Sequence, residues 1–251
     1  MAQSIFYDKP VPLNKEAHKD LKIGPNEGGF SFAKNTNSVL LSGMEFANAA
    51  KEYPIIFIKA GKSILPIALL GFRTDENLFI DDDGKWDAKY IPAFVRRYPF
   101  ILSEAPGSGD KDGAKELTVC IDEDFPGLST EEGSPLFDED GNQTELLKNA
   151  ISFLQEYQSQ YQRTEIFVNR LKELDLLTGY TANAELADGE KISMGGLFVV
   201  DEKKLMELEK KKAMELFRSG ELSWVYAHLL SLSNMNAVIS RMVPKKAEDA
   251  E

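Results

Sequence analysis

The residues best suited to chemistry form one aromatic and basic cluster, made up of Trp86, Tyr90, Arg96, Arg97 and Tyr98. Two adjacent guanidinium groups are unusual in a chain that carries 41 acidic and 29 basic residues. Together they could bind a carboxylate or phosphate through paired hydrogen bonds, and the neighbouring rings allow cation–π contacts. They could equally form ion pairs with the acidic turn at 81–83 and fix a helix to a sheet. We prefer this structural interpretation because internal carboxylates are abundant, and ligand or partner binding is the alternative.

His228 is a second candidate, because a histidine side chain can gain or lose a proton near neutral pH. It lies in the apolar stretch WVYAHLL at 224–230, which predicts a helix. A histidine in such a setting is more often a hydrogen-bonded core residue than a catalytic base. We therefore predict that His228 is largely buried, and proton transfer in a cleft is the alternative.

Other familiar catalytic and metal-binding patterns are absent from the sequence. The acidic turns at 81–84 and 138–142 resemble calcium loops, but an EF-hand alignment puts Phe79 or Leu136 where the first carboxylate is required. Cys120 is the only cysteine, which excludes an intramolecular disulfide and a thiolate zinc site. The glycine-rich stretch at 107–113 lacks the Lys-Ser or Lys-Thr of a phosphate-binding loop. The sequence predicts no cofactor and no metal, and it favours a non-catalytic role over an enzymatic one.

The elements that would position these residues change character along the chain. From 38 to about 124, β-branched and aromatic runs predict strands, including a hairpin formed by 55–58 and 64–70. Residues 90–98 predict a short helix that carries the two arginines. After Gly127, apolar residues recur three or four apart, and one apolar run at 194–200 is β-like. The predicted helices span about 144–161, 164–177, 201–217 and 222–232, and the last of them could extend to 242.

This order of elements predicts an α+β fold, in which a β-rich N-terminal half has an antiparallel or mixed sheet and a helical C-terminal half packs against it. The acidic stretch at 122–140 is the best boundary between them. We therefore expect a β-rich part at 1–128 and a helical part at 129–243, which could also form one continuous domain. Residues 104–115 are expected to be an exposed loop, and 244–251 a flexible tail.

Charge and hydropathy exclude several classes of function. The formal net charge is −12, and an excess of carboxylates repels a phosphate backbone, so we expect no nucleic-acid partner. The longest apolar stretch, at 53–72, is interrupted by Lys59, Lys62 and Pro66, so we expect no membrane insertion. The first residues lack the basic and apolar pattern of a secretory signal. The expected location is therefore the cytoplasm.

Ten short motifs follow one another in a fixed order, among them YPIIF at 53–57, DGKW at 83–86, RRYPF at 96–100, GLFVVDE at 196–202 and GELSWVYAHLLSL at 220–232. In this order and spacing the chain resembles the bacterial SapC family over roughly residues 10–242. That family takes its name from a locus for a paracrystalline surface layer, and relatives are often encoded beside outer-membrane receptors. The resemblance implies a link to surface-layer or outer-membrane biogenesis, and it supplies no established catalytic residues.

The leading hypothesis is therefore a cytoplasmic accessory protein that binds a protein partner. The alternative is an enzyme or small-molecule binder, in which the arginine pair holds an anion and His228 transfers a proton in a cleft between the two halves. A weaker third hypothesis is a structural subunit of the surface layer, which would require export. The residues predicted to contact the partner or ligand are Trp86, Tyr90, Arg96, Arg97, Tyr98 and His228.

Overall fold

The computed structural model describes residues 5–104, 117–186 and 189–242. Most of the loop expected at 104–115, and the whole of the tail expected at 244–251, lie outside these ranges. In the described part, no helix combines the length and the apolar character that are needed to cross a bilayer.

The largest sheet has five antiparallel strands. Its centre is the expected hairpin, formed by β4 (Ile55–Ala60) and β5 (Ser63–Leu69), which turns at Gly61 with φ +61°. The first half of β4 and most of β5 are buried, because other elements cover both faces of the sheet here. β3 (Ser38–Leu40) pairs with the outer side of β5.

The other two strands of this sheet come from the C-terminal half of the chain. β10 (Leu177–Glu185) and β11 (Lys191–Val200) form a hairpin, and β11 pairs with β4 through Leu197 and Phe198. The register shifts between Tyr180 and Ala182, where Gly195 and Gly196 face one residue of β10, and Gly196 has φ +75°. The sheet thus joins strands from both sides of the expected boundary at 128.

Two smaller antiparallel sheets lie between residues 10 and 135. One has the order β1-β7-β6, formed by β1 (Pro10–Pro12), β6 (Phe100–Glu104) and β7 (Leu117–Asp122). The other has the order β8-β2-β9, formed by β2 (Lys22–Ile23), β8 (Leu128–Ser129) and β9 (Ser134–Pro135).

The helices are mostly C-terminal, and with the antiparallel sheets they confirm the predicted α+β fold. They are α1 (Phe46–Ala49), α2 (Ala93–Arg96), α3 (Glu145–Glu173), α4 (Glu202–Met206), α5 (Lys210–Arg218), α6 (Glu221–Ser231) and α7 (Met235–Arg241). A short 3-10 helix, Gly43–Glu45, precedes α1 and packs against α3.

Two helix predictions were wrong in their bounds. The helices expected at about 144–161 and 164–177 are the single helix α3, which has 29 residues. Thr144 caps it, and it ends before β10 begins. It continues through Thr164, whose hydroxyl donates to the Gln160 carbonyl and also accepts from the Gly43 amide of the 3-10 helix. The helix expected at 201–217 is divided into α4 and α5.

Candidate functional site

The arginine-bearing helix α2 is fixed to the rest of the molecule by the buried carboxylate of Glu45. One oxygen of this carboxylate accepts from the Ala93 amide at 2.7 Å and from the Tyr90 hydroxyl at 2.8 Å. The other oxygen accepts from the amide and the hydroxyl of Ser42, both at 2.9 Å. A buried charge is stable only when it is fully hydrogen-bonded, and here four donors satisfy it. Glu45 therefore fixes the position of α2 and, with it, of the two arginines at its C-terminal end.

Arg97 points into the core. Its guanidinium carbon lies 4.2 Å from the ring centre of Phe94, 5.1 Å from that of Tyr157 and 5.8 Å from that of Tyr7. Aromatic rings therefore surround Arg97, and among the described residues it forms no ion pair with the turn at 81–83. In that turn, Asp82 pairs instead with Lys34 at 3.1 Å.

Arg96, one residue earlier, is exposed. Its Nε donates to the Ile91 carbonyl at 2.9 Å, and its guanidinium lies 5.0 Å from the ring centre of Phe153 and 6.0 Å from that of Tyr90. These contacts hold the side chain along the surface with its charge facing solvent. The two adjacent arginines thus have different surroundings, and Arg96 is the one that a partner can reach.

Tyr98 lies beside Arg96 and is held on both sides. Its ring stacks on Phe32 at 4.2 Å, meets Phe125 edge-on at 5.4 Å, and its hydroxyl donates to buried Asp122 at 3.2 Å. Burial raises the pKa of Tyr98 above its usual range, and the Asp122 carboxylate raises it further. The Tyr98 hydroxyl therefore stays protonated at neutral pH.

Two cavities meet at these residues. One, of about 310 Å³, opens between Phe30, Phe32 and α2, and the other, of about 340 Å³, opens between α2 and the side of α3 that carries Leu146 and Phe153. Both are bordered by the same three side chains, which are Arg96, Tyr98 and Phe125. We call the two cavities together the Arg96 groove.

The comparison with family models decides the relationship of this chain to known proteins. A model described as SapC matches residues 13–238. The chain belongs to the SapC family. A search of curated proteins and a search of solved structures each found no match.

Trp86 supports the Arg96 groove of this SapC-family protein from below. It is buried, its Nε1 donates to the Tyr53 hydroxyl at 2.8 Å, and the Tyr53 hydroxyl in turn donates to the Tyr90 carbonyl. The Trp86 ring meets Phe30, which borders the groove, edge-on at 5.7 Å. Trp86 and the Tyr90 backbone therefore position the groove, whereas Arg96 and Tyr98 border it.

His228 lies elsewhere, in the contact between α6 and the large sheet. Its Nε2 accepts from the Val200 amide at 3.0 Å, and its Nδ1 donates to the Ile55 carbonyl at 2.8 Å. The side chain is fully buried, which lowers the pKa of His228 to about 4. The expected burial is confirmed, and His228 does not border the Arg96 groove.

No pattern in the sequence pointed to the aromatic walls of the groove. Phe32, Phe125 and Phe153 lie in three distant segments, and each is one of 15 phenylalanines. The groove can therefore be recognised only from the structure, as an exposed guanidinium between two apolar cavities.

In the described residues, no group of three or more histidine, cysteine, aspartate or glutamate side chains is placed to hold a metal ion.

Proposed function

We propose that this SapC-family protein is a non-catalytic accessory protein, which binds an acidic segment of a protein partner in the Arg96 groove. The observation that carries the proposal is the exposed guanidinium of Arg96 between two apolar cavities. A carboxylate of the partner would form charge-assisted hydrogen bonds with Arg96. Aromatic or aliphatic side chains on either side of that carboxylate would fill the cavities and supply most of the binding free energy.

The shape of the groove supports an extended segment over a compact ligand. Its two cavities lie on either side of Tyr98, and their walls come from the entry segment near Phe30, from α2 and from α3. A chain that lies across Tyr98 would contact all three. A small molecule would fill one cavity and leave the other empty.

The chemistry of the walls supports binding over catalysis. Among the described residues that border the groove, the titratable side chains are Arg96, Arg97 and Tyr98. Arginine keeps its charge at neutral pH, and Tyr98 keeps its proton because its pKa is raised. These groups can hold an anion, but they provide no base to accept a proton. His228, the base of the alternative hypothesis, lies in the core.

Peptide selection tests the proposed binding. A phage-displayed library of random peptides is selected on the wild-type protein and depleted on Arg96→Glu. We expect the recovered peptides to be enriched in aspartate or glutamate next to aromatic or aliphatic residues. In fluorescence anisotropy, Arg96→Glu should weaken binding of the best peptide by about tenfold or more, because it replaces a charge-assisted hydrogen bond with repulsion.

The matched control is Arg218→Glu, which makes the same charge change at an exposed position of α5. It should leave peptide binding within about twofold of wild type, since Arg218 does not border the groove. Equal weakening by both variants, or recovery of peptides without acidic residues, contradicts the proposal. If no peptide is recovered but 2-naphthoate binds wild type and not Arg96→Glu, the small-molecule alternative replaces it.

The finer parts of the proposal concern place and pathway. The SapC family supports an association with surface-layer or outer-membrane biogenesis, and we place the protein's action in the cytoplasm. Fractionation of the native host should find the protein with cytoplasmic markers or at the inner face of the inner membrane. Recovery in the periplasm or at the cell surface would instead favour a structural subunit of the surface layer.

A further inference from the structure

Helix α5 presents large apolar side chains to solvent. Phe217 is 66% exposed and Met214 is 48% exposed, and Met206, at the end of the preceding helix α4, is 77% exposed. Burying a large apolar side chain that now faces water releases free energy. Met206, Met214 and Phe217 therefore form an exposed apolar surface on α5 and at the end of α4.

The spacing of residues on α5 places cations beside these apolar side chains. Lys210, Met214 and Phe217 are separated by four and three residues, and Lys211 and Arg218 flank Met214 on the same side of the helix. We call these five residues the α5 face. Leu216, on the opposite side, is fully buried and fixes which face of α5 is turned outward.

The charge around α5 has the opposite sign to that of the whole chain. Within α5, at 210–218, there are four basic residues and one acidic residue, whereas the formal net charge of the chain is −12. Lys204 pairs with Asp175, but no ion pair with another described residue engages Lys210, Lys211 or Arg218. An anionic surface would attract this region and repel the rest of the molecule, which would orient the protein.

Helix α5 is folded in the protein without a bound partner. Its packing rests on buried Leu216, and the carbonyl of Ser219, which follows the helix, accepts from Arg163 of α3 at 3.3 Å. Gly220 follows with φ +79°, a backbone conformation that favours glycine at a helix end. Binding through the α5 face therefore carries no cost of folding a helix.

We propose that the α5 face binds to the surface of an anionic lipid bilayer. The lysines and arginine would lie among the anionic headgroups, and Phe217 and Met214 would enter the boundary with the acyl chains. Cations and large apolar side chains share this exposed face, which favours a lipid surface because a bilayer presents anionic headgroups beside acyl chains. Contact of this kind is peripheral and reversible, and it involves no helix that crosses the bilayer.

Vesicle flotation with the full-length protein tests this proposal. We expect the protein to float with vesicles of equimolar phosphatidylcholine and phosphatidylglycerol at low salt, and not with phosphatidylcholine alone. Raising the salt concentration should release it, because exposed charges are screened. The double variant Lys211→Glu and Arg218→Glu should reduce the bound-to-free ratio by at least about thirtyfold, since each cation near the surface contributes.

Two further variants complete the test. Met214→Ser with Phe217→Ser keeps the charge, and it should reduce binding by about tenfold or more if the apolar side chains enter the bilayer. Arg96→Glu changes a charge in the Arg96 groove, and it should bind vesicles as the wild type does. Because all these positions are exposed, each variant should keep the melting temperature of the wild type.

Absence of binding to anionic vesicles at low salt would overturn the proposal, as would equal binding to neutral vesicles. Vesicle binding that survives the Lys211→Glu and Arg218→Glu change would also overturn it, because the α5 face would then not be the contact. If poly-glutamate binds with the same dependence on these residues while vesicles do not, the α5 face is a site for an acidic protein. Neither outcome bears on peptide binding in the Arg96 groove, which is tested separately.

Discussion

Replacing Gly43 by alanine is expected to lower the free energy of unfolding by about 3 kcal/mol. A Cβ at this position would lie 2.3 Å from Cε3 and 2.4 Å from Cζ3 of Trp224. The indole cannot retreat, because it is buried and packed against Phe46 and Phe167. The backbone cannot retreat either, because the Gly43 amide donates to Thr164 of α3 at 2.8 Å.

Urea denaturation followed by tryptophan fluorescence measures this loss. The matched control is Gly179→Ala in β10, where an added Cβ would meet nothing within 4 Å and where φ is not positive. That variant should unfold within about 0.5 kcal/mol of the wild type. If the two alanine variants have the same midpoint and slope, the contact between the 3-10 helix and Trp224 is not as tight as the structure indicates.

Acidification should destabilise the protein through His228. Burial holds the pKa of His228 at about 4 in the folded state, below the usual 6.5 that it regains on unfolding. Because the unfolded chain binds the proton first, stability falls as the pH drops from about 6.5 towards 4. One proton taken up over this window corresponds to a loss of about 3 kcal/mol, which is absent above pH 6.5.

His228→Gln removes this titration and keeps a side chain that can accept from the Val200 amide. The variant should be less stable than the wild type at pH 7. Between pH 6.5 and 4, however, its free energy of unfolding should fall less than that of the wild type, and the difference should correspond to the binding of about one proton. Carboxylates titrate equally in both proteins and cancel in the difference. NMR titration of the wild type gives an independent measurement, and a His228 ring that becomes charged near pH 6 would contradict the prediction.

Local patterns in the sequence predicted those parts of the fold that neighbours in the chain determine. The apolar runs at 55–58 and 64–70 predicted the central hairpin, because burial on both faces leaves continuous apolar strands. Thr144 was predicted to begin a helix, and its hydroxyl accepts from the Leu147 amide. The helical C-terminal half followed from apolar residues three or four apart, whereas the sequence left open whether the sheet was antiparallel or mixed.

Tertiary contacts determined the parts that the sequence could not predict. The sequence did not predict β10, the first strand of the second hairpin, because the residues of its sequence LTGYTANAE are mostly small or polar and largely exposed. It forms a strand because β11 has β4 as a partner on its other side. The break expected near 161–164 is absent. Thr164, a residue type that is favoured where helices begin, instead lies within α3, where its hydroxyl donates to the Gln160 carbonyl and accepts from the Gly43 amide.

For the candidate site, the sequence predicted the residues but not their arrangement. The cluster of Arg96, Arg97 and Tyr98 is visible in the sequence, but the difference between the two arginines is not. Neighbouring residues of a helix point about 100° apart, so the orientation of α2 decides which of the two guanidinium groups is buried. That orientation is set by Glu45, which lies 48 residues before Ala93 and accepts from its amide. The prediction that these residues contact a partner remains to be tested by the experiments above.

The pairing of β4 with β11 has a consequence for synthesis on the ribosome. Residue 57 leaves the exit tunnel long before its sheet partner, residue 198, has been translated. At ordinary rates of translation, this interval is roughly ten seconds. Throughout it, the nascent chain carries an apolar strand whose edge lacks its final neighbour, and α6 has not yet been made to cover the sheet. Chaperones that hold such edges during elongation should therefore raise the yield of soluble protein more than those that act after release.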